Sequence, residues 1–256
     1  MEIATTTLPP SVNGGTGPHS YAQNSYYQRG ALEAAQEIIK REIAEKLDIN
    51  QLFSGSSTSF CIADFGCATG PNTFLAVQAI LEAVKLKCQS SEGLNSDHVP
   101  EFHVFFNDLA SNDFNTLFLS LPPKRQYLAA AVPGSFHGIL FPKASLHFAF
   151  SSCSLNWLSK VPIEVTDKTS PAWNSGMIHY TNKEVFEAYS SQFAQDMESF
   201  LHARAQELVG GGLVALIVPG HRDAIPLSQT TIKMEFELLA SCLMDMAKTV
   251  ENDCCL

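Results

Sequence analysis

The sequence is poor in positive charge. Its 256 residues include 16 Lys and Arg against 26 Asp and Glu, which leaves a formal net charge of −10. Because nucleic acids and anionic membrane surfaces are bound largely through basic residues, the sequence predicts neither of them as a partner. No apolar run approaches the roughly 18 residues of a membrane-spanning helix. Residues 1–10 have neither the basic start nor the apolar stretch of a secretory signal.

Several common chemical motifs are missing as well. The seven Cys are odd in number and contain no Cys-x-x-Cys, a pattern that favours reduced thiols in the cytoplasm over disulfides or a zinc site. The eight His are scattered without the spacing of metal ligands. There is no Gly-x-Ser-x-Gly elbow, so the sequence offers no obvious nucleophile for covalent catalysis.

The most informative stretch that is present lies at 60–72. An apolar run ends in Gly66 and Gly70, and a helix-compatible run follows, which is the strand–turn–helix order that binds nucleotide-like ligands in α/β sheets. Asp64 stands where the strand ends. The Gly-x-x-x-Gly spacing does not match the dinucleotide fingerprint and suits a ligand without a pyrophosphate. Taken alone, the pattern fits an ordinary buried strand and glycine turn equally well.

A second strand also ends in an acid. The β-prone run 102–106 is closed by Asn107 and Asp108. An acid after the second strand of such a sheet can accept hydrogen bonds from both ribose hydroxyls. The alternative reading of Asp108 is a helix N-cap or turn residue. Because Asp64 and Asp108 both stand at strand ends, we favour a ligand site.

Apolar periodicity predicts alternating strands and helices along the rest of the chain. Strands are predicted near 60–65, 102–107, 129–132, 146–150 and 213–218, and helices near 31–47, 73–86, 183–209 and 228–248. The glycines at 210–212 are expected to end the third of these helices. We expect residues 1–12 to be disordered and residues 13–256 to form one α/β domain.

Four long motifs make the sequence resemble a known family. They are Asn13-Gly14-Gly15 with Ser20-Tyr21-Ala22-Gln23-Asn24-Ser25, the stretch 64–72, Asn107-Asp108-Leu109 with Asn112-Asp113-Phe114-Asn115, and Val132-Pro133-Gly134-Ser135-Phe136-His137-Gly138 running on to Trp157-Leu158. In these motifs the chain resembles the plant SABATH family of S-adenosylmethionine (SAM)-dependent methyltransferases. Members of that family methylate small acids, such as salicylic, jasmonic and loganic acid, or xanthine alkaloids.

The resemblance implies a fold and a length. The fold is that of class I SAM methyltransferases, a Rossmann-like sheet with helices on both faces. SABATH chains usually continue beyond the point at which this sequence ends. We therefore expect a C-terminally incomplete domain that lacks the last strands and the cap segment, with strand 213–218 at an edge of the sheet.

The resemblance also assigns the SAM contacts to seven residues. Asp108 is expected to hold the ribose hydroxyls. Leu109 and Phe136 are expected to sandwich the adenine, although residue type alone would place both in an ordinary core. Asp64 and Asn72 are expected near the methionine end. The full set is Ser25, Asp64, Asn72, Asp108, Leu109, Ser135 and Phe136.

The methyl acceptor is expected beside the cofactor. The Gln28 amide and the Trp157 indole N–H would hold its carboxylate. The remaining pocket residues implied by the resemblance are Tyr21, Cys153 and Asn156. The stretch 170–181 looks most like the loganate-type branch, which favours a larger or oxygenated acid. The family's magnesium site would use Asn174, although an isolated Asn equally suits a turn.

The implied activity is methyl transfer from SAM to the carboxylate of a small acid, which gives a methyl ester. A carboxylic acid with a pKa of about 4 is ionised at neutral pH, so the reaction needs alignment rather than a base. Two alternatives stay open: methylation of a xanthine-type ring nitrogen, and an inactive isoform that partners a full-length subunit. A homodimer is also left open. A nicotinamide dehydrogenase fits the Gly-x-x-x-Gly turn badly.

Overall fold

The computed structural model of the chain describes residues 11–53, 59–90, 99–173, 183–220 and 231–253. It contains two compact units, residues 1–218 and 219–256, which are described separately. Asn174, the predicted magnesium ligand, lies outside the described residues, as do residues 1–10 of the segment predicted to be disordered.

The first unit is built on a sheet of five strands. They are β1 (Ser59–Phe65), β2 (Glu101–Asp108), β3 (Leu128–Pro133), β4 (Leu146–Ser152) and β5 (Leu208–Ile217), so all five predicted strands are confirmed. Their order is β3-β2-β1-β4-β5, and every pairing is parallel. All strands therefore end at one edge of the sheet. From β1 the strands are added outward to β3 on one side, and from β4 to β5 on the other side. The strand order therefore reverses between β1 and β4, and open α/β sheets bind ligands at such a switch point.

Helices cover both faces of this sheet. They are α1 (Tyr21–Asn24), α2 (Tyr26–Lys46), α3 (Ile49–Leu52), α4 (Asn72–Ser90), α5 (Phe114–Leu119) and α6 (Lys183–Glu207), with a 3₁₀ turn at Ile163–Val165. The predicted helices at 31–47, 73–86 and 183–209 correspond to α2, α4 and α6. The fold class predicted from the sequence, an α/β Rossmann-like sheet between helices, is confirmed.

The alternation of side chains along β1 divides the core in two. Phe60 and Ile62 belong to one buried cluster with α2 and α4, whereas Ala63 and Phe65 belong to a second cluster that includes Phe200 of α6. Successive residues of a strand point to opposite faces, so these clusters lie on the two faces of the sheet. This alternation turns Asp64 toward the α4 face, with consequences for the site.

The glycines at 210–212 do not end α6, contrary to the prediction. The helix ends at Glu207, and β5 begins at once with Leu208. On β4, Leu146 pairs with Leu208 of β5, and Phe148 pairs with Leu213. A step of two residues on β4 is thus matched by a step of five on β5, and the extra residues of β5 include the glycines. Gly211 has φ +83°, and a Cβ on Gly212 would lie 3.1 Å from the His147 carbonyl oxygen. The glycines therefore form a bulge, where positive φ and close backbone approach favour glycine.

The second unit contains α7 (Thr231–Asp253), which corresponds to the helix predicted at 228–248. Residues 228–230 of that prediction lie outside the described residues. Several apolar side chains of α7 are more than half exposed, including Met234, Leu238, Leu239, Leu243 and Met244. In the described parts of the chain, no helix combines the length and apolar character needed to cross a membrane.

Candidate functional site

The turn after β1 is tied to the end of β2. The backbone N–H groups of Gly66 and Cys67 both donate to the Asn107 carbonyl oxygen, at 2.9 and 3.0 Å. Gly66 has φ +84°, and a Cβ there would lie 2.2 Å from the Ser154 hydroxyl oxygen. Only glycine fits this position without displacing the loop after β4. The turn thus brings three strand ends close together.

Asp108 occupies the end of β2 with both carboxylate oxygens partly engaged. Its Oδ2 accepts a hydrogen bond from the Ala68 N–H at 2.8 Å, and its Oδ1 accepts one from the Leu109 N–H at 2.8 Å. Burial raises the pKa of this carboxyl, and the two backbone hydrogen bonds partly offset that shift. Each ionised oxygen keeps a further lone pair. Asp108 can therefore accept hydrogen bonds from a ligand while the backbone fixes its orientation.

Asp64 has a different environment. It is buried, accepts a hydrogen bond from the Thr73 hydroxyl of α4, and lines a small cavity of about 20 Å³. Burial raises its pKa to about 7; the Thr73 hydrogen bond opposes this shift, and the nearby Asp108 charge adds to it. Asp64 is therefore a buried acid that titrates near neutral pH.

Asn72 lines the same small cavity, and Ser25 lies behind it. The Asn72 side-chain N–H donates to the Ser25 carbonyl oxygen at 3.2 Å and to its hydroxyl oxygen at 3.0 Å. Burial raises the pKa of the Tyr21 phenol, and hydrogen bonds with Asn72 and Ser25 partly offset this shift. Ser25 does not line this small cavity, but its hydrogen bonds with Asn72 connect it to a residue that does.

A larger cavity of about 290 Å³ opens at the strand ends of the first unit. Eight residues predicted from the sequence line it: Tyr21, Gln28, Asp108, Leu109, Ser135, Phe136, Cys153 and Trp157. They come from α1, α2 and the segments that follow β2, β3 and β4. Tyr21 and Gln28 also line the small cavity, so the two spaces adjoin. Ten of the twelve predicted cofactor and acceptor residues therefore line one or the other of two adjoining cavities, and Ser25 and Asn156 line neither.

Two expectations about this region differ from the structure. Asn156, expected in the acyl pocket, is exposed and does not line the cavity. It stands between Leu155, which is buried in the core, and Trp157, so the local backbone turns it outward. Ser11 and Val12, predicted to be disordered, line the cavity instead, and the Ser11 hydroxyl lies 3.5 Å from the Ser111 carbonyl oxygen.

Sequence reasoning assigned no role to several other lining residues. They are Ala68, His137, Ser152, Ser154, Leu158 and Ser159, together with Ser11 and Val12. Gly66 also lines the cavity and belongs to the predicted glycine turn. Most lie within or next to the quoted motifs, at 64–72 and 132–158. Membership of a motif was therefore the available signal, but it did not show which side chains face the cavity.

A buried ion pair on α6 holds the loop that carries Ser135 and Phe136. The Arg204 Nε donates to Glu207 at 2.8 Å, and its two terminal nitrogens donate to the carbonyl oxygens of Phe136 and Gly138, both at 2.9 Å. Glu207 in turn accepts hydrogen bonds from the N–H groups of two loop residues, Leu140 and Phe141. The pair thus fixes the backbone of one cavity wall.

Comparison with known proteins agrees with this arrangement. The profile of the family described as SAM dependent carboxyl methyltransferase matches residues 10–252. The chain belongs to this family. The predicted SABATH resemblance is thereby confirmed, and SAM is the cofactor of this methyltransferase family.

Three individual proteins show which members of the family the chain resembles. The chain is 50% identical over 240 residues to loganic acid O-methyltransferase of Catharanthus roseus, covering 92% of this chain and 63% of that protein, so it spans less than two thirds of that relative's length. It is 43% identical over 245 residues to paraxanthine methyltransferase 2 of Arabidopsis thaliana, covering 95% of this chain and 68% of that protein. A solved structure, loganic acid methyltransferase with SAH, superposes with a TM-score of 0.86 at 49% identity, covering 93% of this chain and 67% of that one.

Proposed function

We propose that this methyltransferase chain transfers the methyl group of SAM to the carboxylate of a small plant metabolite acid and forms a methyl ester. The observation that carries the proposal is that one cavity is lined both by Asp108, Leu109 and Phe136 and by Gln28 and Trp157. The first three suit a nucleoside, and the last two supply neutral N–H donors that suit a carboxylate.

The nucleoside end combines a polar and an apolar group. The free lone pairs of the Asp108 carboxylate would accept hydrogen bonds from the ribose hydroxyls. Leu109 and Phe136 would contact the faces of the adenine, with Ser135 beside them. Asp64 and Asn72, in the adjoining small cavity, would lie toward the charged methionine end, and Ser25 would hold Asn72 in place.

The acceptor end positions the substrate without a general base. SAM, when bound, supplies an electrophilic methyl group on a sulfonium. The Gln28 amide and the Trp157 indole would orient the carboxylate through hydrogen bonds without neutralising it. Tyr21 and Cys153 would line the space beside it. Because the acid is already ionised at neutral pH, catalysis rests on alignment and on exclusion of water.

The proposed acceptor is an oxygenated acid of the loganic acid type. The relative that methylates loganic acid supports this class. The direct test incubates the chain with SAM carrying an isotopically labelled methyl group and with loganic, salicylic or benzoic acid, and detects the labelled methyl ester by mass spectrometry. Labelled ester from at least one acid supports the proposal. Its absence from every acid, under conditions in which SAM binds, overturns it.

A second candidate is methylation of a xanthine ring nitrogen, which the likeness to paraxanthine methyltransferase 2 supports. The same assay with xanthine, 7-methylxanthine and paraxanthine discriminates the two candidates. N-methylated product without any ester would favour the second. A magnesium ion at Asn174 belongs to the family resemblance only. In the described parts of the chain, no three His, Cys, Asp or Glu side chains cluster so as to hold a metal.

We also propose that residues 13–256 act as one methyltransferase domain, that the protein works in the cytoplasm, and that it self-associates. Five described cysteines are free thiols, which suits a reducing compartment. The exposed apolar side chains of α7, including Leu238, Leu239 and Leu243, suit association with a second copy. Leu239→Glu should lower the mass measured by light scattering after size-exclusion chromatography. A monomeric parent chain would contradict this part.

A further inference from the structure

One wall of the cavity carries a polar cluster that the proposed chemistry does not use. His137 and Ser159 both line the cavity, and both contact Asp196 of α6. The Asp196 side chain is buried. It accepts hydrogen bonds from the Ser159 N–H at 2.8 Å, from the Ser159 hydroxyl at 2.6 Å and from the Gln192 amide at 2.9 Å. These bonds fix how the wall presents its polar atoms.

Ser159 presents an acceptor to the cavity. A hydroxyl has one proton and two lone pairs, and the Ser159 proton is committed to Asp196 Oδ1. One lone pair faces the Gln192 amide nitrogen at the longer distance of 3.4 Å. The other lone pair is available to a ligand. Ser159 can therefore accept a hydrogen bond but cannot readily donate one.

His137 presents an acceptor as well. Its Nδ1 lies 3.4 Å from the backbone carbonyl oxygen of Asp196. A carbonyl oxygen can only accept, so we assign the ring proton to Nδ1. In this tautomer Nε2 is unprotonated and has a free lone pair. Within the described residues, no hydrogen bond to this Nε2 is found.

We propose that His137 and Ser159 form a subsite that accepts a hydrogen bond from a hydroxyl of the methyl acceptor. Hydroxyl-bearing carboxylic acids are then the preferred substrates, an inference that rests on the proposed function. Ser159 follows Trp157 by two residues in the segment after β4, and Trp157 is the proposed carboxylate donor. The same segment would thus contact the carboxylate and a hydroxyl of one molecule. An acid without a hydroxyl group leaves the His137 Nε2 and the Ser159 hydroxyl oxygen without a hydrogen-bond donor, and it should bind less tightly.

The exocyclic amine of the cofactor's adenine can also donate a hydrogen bond to His137 and Ser159, so it is the alternative to a hydroxyl of the acid. Titration calorimetry separates the two. One titration measures the Kd of S-adenosylhomocysteine (SAH), which carries the adenine. The others use protein saturated with SAH and matched acids: benzoate against 2-, 3- and 4-hydroxybenzoate, and loganic acid against 7-deoxyloganic acid. A single hydrogen bond predicts that at least one hydroxylated acid binds about three- to tenfold more tightly than its partner.

Variants connect that preference to the subsite. Ser159→Ala and His137→Phe should each bring the preference close to one and leave the Kd of SAH within about twofold. His137→Gln, which keeps an acceptor oxygen, should restore part of the preference. Gln192→Leu is the matched control, because Gln192 does not line the cavity. Its loss removes a hydrogen bond from the same Asp196 carboxylate and the long contact to Ser159, and it leaves the His137 and Ser159 acceptors in place. The preference should survive in that control.

Three outcomes would overturn the subsite. In the first, the unmodified protein binds the two acids of every pair equally well. In the second, the preference persists in Ser159→Ala and His137→Phe. The third outcome is that the Gln192→Leu control loses the preference as completely as those two variants. Loss of SAH affinity in the two variants would assign the donor to adenine instead. If SAH binds but no acid does, the proposed function itself fails, and that result is distinct from acid binding without a hydroxyl preference.

Discussion

Arg204→Met removes the buried cation that holds the loop carrying Phe136 and Gly138, and it should strongly destabilise the protein. Arg204 is 1% exposed and Glu207 is fully buried, so neither charge can turn to water. The substitution leaves the carbonyl oxygens of Phe136 and Gly138 without their donor. It also leaves the Glu207 carboxylate with only the backbone N–H groups of Leu140 and Phe141.

The expected cost follows from these lost partners. Breaking a buried ion pair by removing one member costs about 3–5 kcal/mol, chiefly because the other charge stays buried. Here two backbone N–H donors still stabilise the anion, which places the expected loss of unfolding free energy near the lower end, about 3 kcal/mol. The double variant Arg204→Met with Glu207→Gln should cost less than the sum of the single variants, since it leaves no buried charge.

Urea unfolding followed by circular dichroism measures this change. The matched control is Arg29→Ala, which breaks the ion pair with Glu33 on the exposed surface of α2, where both side chains are about half exposed. That pair should contribute less than about 1 kcal/mol. A loss below about 1 kcal/mol for Arg204→Met, or additive costs in the double variant, would refute the argument that Arg204 neutralises a buried charge.

Three further predictions concern the cavity. Asp108→Ala should raise the Kd of SAH at least about tenfold, because two ribose hydroxyls lose a charged acceptor worth about 1.5–3 kcal/mol per hydrogen bond; an unchanged calorimetric Kd would remove Asp108 from the cofactor site. Trp157→Phe should raise the KM for the acid while the Kd of SAH stays constant, because the indole N–H is lost and an aromatic ring remains in its place; an unchanged KM would leave the carboxylate without its proposed donor. In the ligand-free protein, the pKa of Asp64 is about 7, above its ordinary value, so the folded state holds a proton that the unfolded state releases between about pH 4 and 7. The Asp64 contribution to unfolding free energy should therefore fall as pH rises through that window, and Asp64→Asn should flatten the slope measured by urea unfolding at a series of pH values; an identical slope in the variant would contradict the elevated pKa.

The local order of the chain was predictable from its residues. Asp64 is the second-to-last residue of the run 60–65, and Asp108 follows the run 102–106 after Asn107, so strand periodicity alone is enough to place both acids at strand ends. The long motifs then identified the family, because they are specific over many residues. Elements of this kind depend on neighbours in sequence, and the chain itself contains that information.

Local reasoning failed where the backbone was under a long-range constraint. The glycines at 210–212 look like a helix terminator in sequence, but in the fold they form a bulge that lets β5 pair with β4. Asn156 stands within a motif but faces outward, because its neighbour Leu155 is buried in the core. In both cases packing against residues distant in sequence determined the outcome: β4 for the glycines, and the buried cluster of Leu155 with Phe65 and Phe200 for Asn156.

The sequence by itself determined which residues end the strands and which family the chain belongs to, because periodicity and motif identity are local properties. Only the tertiary structure decided that Asp108 faces the large cavity while Asp64 turns to Thr73 beneath α4. It alone brought His137 within reach of Asp196, 59 residues later in the chain. Burial, pKa shifts and the direction of hydrogen bonds arise from such distant neighbours, and no pattern along the chain specifies them.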